Sequence, residues 1–159
     1  MTQGELSMRF RQIGDVLDWT RTFHDTLAND YDGLARGHEK ERVGMLLQYL
    51  SEHERALSGA LQHYEEDAAK AVLATWYDQA PEVKLPPDLN SLCDTLEKVD
   101  TDTVLTLALV FHDLLIDMYT ALAAKAPTPA TKTLFDSLVS QETREKMRTV
   151  RDALRLEDL

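Results

Sequence analysis

One cysteine, Cys93, in 159 residues leaves no partner for an intramolecular disulfide. A small secreted scaffold stapled by disulfides is thereby excluded. Basic residues are scarce, 17 Lys and Arg against 28 Asp and Glu, and the net charge of -11 repels phosphate backbones and anionic lipid. Neither a nucleic-acid nor a membrane partner is expected, since either would need a local basic patch. Arg144, Lys146, Arg148, Arg151 and Arg155 alternate with Glu145, Asp152 and Glu157, as on a solvated helix face. No apolar run spans a bilayer, because the most apolar stretch, Val104 to Phe111, stops at His112-Asp113. Gly4-Glu5-Leu6-Ser7 lacks the apolar run of a secretory signal, so a reducing cytoplasm is the expected compartment. Gly-rich phosphate loops, nucleophile elbows and zinc-finger spacings are also missing.

What is present is a soluble-domain composition, 43% hydrophobic and 28% charged, and an internal repeat. Phe23-His24-Asp25-Thr26-Leu27 runs on to Tyr31, Leu34 and Ala35. Starting 88 positions later, Phe111-His112-Asp113-Leu114-Leu115 runs on to Tyr119, Leu122 and Ala123. The shared pattern is F-H-D-x-L-x-x-x-Y-x-x-L-A, and each copy lies in one helical pattern followed by another. Apolar steps of three and four predict a single domain of four helices, at about 5–36, 39–77, 101–126 and 129–155. Gly37 stops the first, Asp100-Thr101-Asp102 offers caps for the third, and Thr128 with Pro129 opens the fourth. The fourth is expected to turn Leu134, Phe135, Leu138, Val139, Met147, Val150 and Leu154 inward. Pro81, Pro86 and Pro87 interrupt residues 78–100, where Leu89, Leu92 and Leu96 suit a short helix.

His24 and His53 occupy gaps in the apolar stripes and therefore point inward. Counted from the intervening turn, the two lie at one height if their helices form a hairpin, and His112 lies level with Glu142 in the second hairpin. All four coincide if residues 78–100 cross the length of the bundle, so that the third helix starts at the same end as the second. Trp19, Trp76, Tyr31, Tyr64 and Tyr119 read as packing residues. His38 and His63 fall off the stripe, and Cys93 beside Asp94 is not a reactive thiol.

Two related hairpins, a long crossover and ionisable residues halfway along each helix resemble the ferritin and rubrerythrin superfamily. The resemblance implies an all-α, ferritin-like four-helix bundle with a long crossover between helices 2 and 3 that holds a short extra helix. In that family helices 1 and 3 each supply a Glu seven residues before a Tyr, helices 2 and 4 each supply Glu-x-x-His, and together these hold two irons. Here His24 and His112 stand seven before Tyr31 and Tyr119, helix 2 has Glu52-His53-Glu54-Arg55, and helix 4 has Glu142-Thr143-Arg144-Glu145. Arg55 at the histidine position of Glu-x-x-His cannot ligate a cation. Two expectations follow. In one, His24, His53, His112 and Glu142 hold a transition metal, iron, manganese, zinc or copper, with Glu52, Asp25, Asp113 and Glu145 as secondary ligands or partners, in a redox or storage-related role. In the other no metal is bound, the same groups form a hydrogen-bonded layer that fixes helix register, and the bundle is a non-catalytic interaction module. The family analogy makes a homodimer the candidate assembly.

Overall fold

The computed structural model describes residues 7–37, 41–68, 70–77, 82–84 and 99–158. Its elements are β1 (Ser7–Arg9), α1 (Ile13–Arg36), α2 (Glu41–Asp67), α3 (Lys70–Leu73), β2 (Glu82–Lys84), α4 (Thr101–Ala124) and α5 (Pro129–Glu157). The four long helices make the bundle as two antiparallel hairpins, α1 with α2 and α4 with α5. The proposed short helix at 89–96, Cys93 and His38 lie outside the described residues.

Two of the expected helices are shorter than the periodicity indicated. The first begins at Ile13, because the chain before it is extended: β1 pairs antiparallel with β2, Met8 opposite Val83. The Tyr77 amide donates to the Arg11 carbonyl and the Ile13 amide to the Thr75 carbonyl. Gln12 and Asp15 then close the start of α1 with reciprocal side-chain contacts. Phe10 keeps its place in the core from this extended segment. The second helix ends at Asp67, after Glu65-Glu66-Asp67 has put three carboxylates on the negative end of the helix dipole with no basic residue in the last turn. Trp76 consequently sits 57% exposed beside Gln12 instead of in the core.

The core has two apolar clusters, one at each end of the bundle. Leu27, Tyr31, Val43, Leu47, Leu50, Val104, Ala108 and Phe111 pack together, so α2 and α4 start at the same end. The connection between them therefore returns along the bundle, which is the ferritin-type connectivity. The other end is filled by Ile13, Leu17, Leu61, Leu115, Tyr119, Leu122, Phe135 and Leu138. By length and composition α4 alone among the described helices is apolar enough to cross a membrane; here its inner face packs into both clusters and carries a buried histidine. Along α5 the inner face passes from Phe135 and Leu138 to Glu142, Thr149 and Ala153. Met147 and Leu154, expected inside, are therefore turned out, 69% and 55% exposed.

Candidate functional site

Between the apolar ends lies a polar layer to which every long helix contributes. His24 of α1, Glu54 of α2, His112 of α4 and Glu142 of α5 are each at most 3% exposed. Helical spacing explains why: each falls on the buried stripe of its helix, between Leu17 and Leu27, Leu50 and Leu57, Ala108 and Leu115, and Leu138 and Thr149. His24 Nδ1 contacts Glu54 Oε2 directly. His112 Nδ1 lies 2.8 Å from Glu142 Oε2. The second oxygen of Glu142, Oε1, stands 3.3 Å from His24 Nε2, an ion-pair contact without hydrogen-bond alignment. The result is one unbroken file, Glu54–His24–Glu142–His112, in which both carboxylates are met by imidazoles.

Electrostatics favour charge on the inner members. Burial works against a charged His24, but the facing Glu54 and Glu142 carboxylates outweigh it and hold the imidazolium up to a pKa of about 10. Burial likewise opposes ionised Glu142, yet the His112 and His24 rings on its two oxygens hold its carboxyl down to about 2. Tyr119 is pushed well up by burial, with the Glu142 charge adding to the effect.

A second, shallower group lies beside the file. The ring of His53 meets that of His112 edge-on at 5.8 Å and stacks on Tyr49 at 5.8 Å. Its Nε2 is 3.3 Å from Thr149 Oγ1 and 3.6 Å from Glu145 Oε2. Burial pulls the His53 pKa below the usual histidine value. Tyr49 donates to Asp152 at 2.8 Å, which leads from this group toward the surface.

Of the residues singled out in the sequence, the structure brings together His24, His53, His112, Glu142 and Glu145. It leaves out Asp25, Asp113 and Glu52, which are exposed; Asp113 pairs with Lys146 at 2.6 Å on the surface. Arg55 is exposed as well and supplies no charge to the interior. The residue that sequence reasoning missed is Glu54. Its signal was the repeat itself, for Glu54 stands 30 residues after His24 as Glu142 stands 30 after His112. Aligning Glu52-His53-Glu54-Arg55 with Glu-x-x-His puts the glutamate at Glu52, two positions off and on the exposed face.

The donors do not fit a carboxylate-bridged two-metal centre. Measured from Glu54 and Glu142, the histidine positions of Glu-x-x-His hold Leu57 and Glu145. Both oxygens of Glu142 already face imidazoles, and an imidazolium has no lone pair to give. Among the described residues no three His, Cys, Asp or Glu side chains converge as they stand to hold a metal ion. Two buried nitrogens, His24 Nε2 and His112 Nε2, nonetheless lack a hydrogen-bond partner.

With the bundle and its layer described, the fold can be compared. It is similar to a solved Thermotoga maritima structure described as a ferritin-like protein of the diiron-carboxylate type, with a TM-score of 0.62, 12% identity, 91% of this chain covered and 95% of that one. The fold is accordingly ferritin-like. No protein-family model and no curated protein sequence matches the chain.

Proposed function

We propose that this chain is a divergent ferritin-like bundle that works without the two-metal centre, as a non-catalytic protein acting through its surface. One observation carries the reading: Glu142 spends its two oxygens on two histidines, His112 at 2.8 Å and His24 at 3.3 Å, while His24 turns its other nitrogen to Glu54. Charge that a bound cation would balance is balanced from within by an imidazolium. A buried file of this kind ties one residue from each of four helices to a single register. Metal chemistry is then not what the layer is for; it specifies the bundle, and function lies on the outside. A cytoplasmic homodimer is part of the same proposal.

A second reading is favoured by a different observation. His112 Nε2 is buried without a hydrogen-bond partner while its Nδ1 is held by Glu142, the disposition usual in a metal-ligating histidine, and His53 and Glu145 lie on the adjoining side. Those groups suit one iron, manganese, zinc or copper ion rather than two. Elemental analysis of untagged protein purified without chelator, with a His112→Ala variant in parallel, separates the readings. Negligible metal in both samples, and thermal unfolding unchanged by EDTA, supports the internal file. Near-stoichiometric metal that disappears in the variant replaces it with the single-ion reading, and redox or storage assays follow.

A further inference from the structure

The last four turns of α5 carry a face whose charge opposes that of the whole chain. The molecule has a net charge of -11, yet Arg144, Arg148, Arg151 and Arg155 are all exposed on this helix. The acidic residues interspersed with them turn inward: Glu145, 16% exposed, toward His53, and Asp152, 24% exposed, toward Tyr49. Those two carboxylates are also the only ones near Arg148, Arg151 and Arg155 among the described ion pairs, at 3.5–3.8 Å, so three guanidinium groups share two anions. Sequence alternation suggests a solvated face of mixed charge. The helix sorts the signs instead, acids inside and arginines outside.

Two of the largest exposed apolar side chains lie in the same stripe. Met147 and Leu154 are seven residues and two turns apart, on one side of the helix, with Arg148, Arg151 and Arg155 flanking them. An apolar side chain every seventh residue with charges beside it is the pattern by which one helix receives another.

We propose that this face of α5 docks an acidic amphipathic helix of a partner protein, Met147 and Leu154 meeting its apolar stripe and the arginines meeting carboxylates on its borders. The inference rests on the surface-acting reading above and supplies the chemistry of the partner. Charge complementarity selects the occupant. A second copy packed symmetrically through this face would set the same four arginines against one another. Two isolated apolar side chains give little area to insert into a bilayer.

The test uses the full chain and a labelled synthetic helical peptide of about three heptads, with Leu in its seam and Glu on both borders. A Lys-bordered peptide serves as the counterpart, and fluorescence anisotropy is read at low and high salt. The Glu peptide is expected to bind, to weaken with salt, and to lose about tenfold or more in affinity for Arg148→Glu/Arg151→Glu. That variant is expected to gain affinity for the Lys peptide, whereas Arg55→Glu, an exposed change on α2, leaves both unchanged. Circular dichroism confirms that each variant is folded. Absence of binding, equal binding of the two peptides, or indifference to the arginine reversal overturns the proposal. So does binding to phosphatidylserine vesicles without binding to the Glu peptide, which would assign the face to a membrane surface. Metal analysis tests the central layer separately, so stoichiometric metal together with peptide docking would sink the metal-free reading alone.

Discussion

Replacing His24 by Leu removes the imidazolium from the centre of the file, leaving Glu54 buried without its histidine and Glu142 in contact with His112 alone. The cost can be taken from either side of the contact. His24 rises from an ordinary 6.5 to about 10, and Glu142 falls from 4.5 to about 2. At roughly 1.4 kcal/mol per pH unit the two give about 3 to 5 kcal/mol, the larger value belonging to His24. They describe the same interactions and are not added. Loss of one partner from a buried pair costs about the same, 3–5 kcal/mol. Domains of this kind are stable by about 5–15 kcal/mol, so the variant still folds, with a much lower midpoint in urea.

The pH dependence makes the cause specific. A folded pKa raised from 6.5 to about 10 gives stability that is complete below 6.5 and is lost as pH rises through 10. A folded pKa lowered from 4.5 to about 2 gives stability that is complete above 4.5 and is lost as pH falls through 2. The wild-type advantage over His24→Leu is therefore greatest near pH 5 to 6 and shrinks steadily between pH 6.5 and 10. Urea titrations of both proteins across that range read the difference directly, cancelling the titration of surface groups common to the two. A difference that stays constant from pH 6 to 10 would mean that His24 contributes shape and not charge, and the file would lose its electrostatic role. Should the Leu variant fail to fold, Glu142→Gln, which keeps the outline and an acceptor, is expected to lose the acid limb between pH 4.5 and 2 in the same titration.

Surface groups once considered for the site give the contrasting expectations. Arg55→Ala and Asp113→Ala are each expected to change stability by no more than about 0.5 kcal/mol in urea unfolding, since Arg55 is exposed and the Asp113–Lys146 pair is solvated. Leu50→Ala, at a position with no exposure, is expected to cost about 2–5 kcal/mol by the same measurement. Tyr49→Phe removes the 2.8 Å hydrogen bond to Asp152 and is expected to cost about 1 kcal/mol. Its sharper readout is the carboxyl resonance of Asp152 in an NMR titration, which should move back up toward the ordinary aspartate range once the phenol that holds it down is gone.

The parts of the fold set by long-range periodicity were legible before any coordinates. His24, His53 and His112 break apolar stripes, and requiring them and Glu142 to lie at one height selects the crossover topology. Boundaries decided by a few local contacts were not legible. Nothing in Leu6-to-Phe10 distinguishes a helix turn from a strand until β2 is there to pair with it. Glu54 was hidden by a composition rich in acids, in which Glu52 and Glu54 look alike until the helix is phased. Only rotation about the helix axis separates the exposed one from the buried one, a matter of about 100° per residue. The inner face of α5 is hidden for the opposite reason: Met147 and Leu154 are apolar and read as core, whereas the inward positions there are filled by Glu142, Thr149 and Ala153.

The two halves of the layer began from one pattern and are not equivalent. Each histidine meets the glutamate 30 residues on, but Glu142 also reaches His24, whereas His112 is not described in contact with Glu54. The repeat explains where they diverge, since the position matching His53 in the second copy is Gln141 and the position matching Glu145 in the first is Leu57. His53 and Glu145 face one another at 3.6 Å between α2 and α5, and the His53 ring meets the ring of His112, whose Nε2 is unpartnered, edge-on at 5.8 Å. The asymmetry thus puts a polar pair beside His112 where the matching positions of the other half hold Leu57 and Gln141. If the file is purely structural, His53→Leu with Glu145→Leu should be tolerated and even stabilising, because a shallow polar pair is replaced by apolar packing like that around Leu57. If a small ion or solvent serves His112 from that side, the same double variant leaves Nε2 sealed in an apolar wall and should destabilise the protein by about 1–3 kcal/mol in urea unfolding. The sign of that one change separates a histidine at the end of a closed file from a histidine waiting for a ligand.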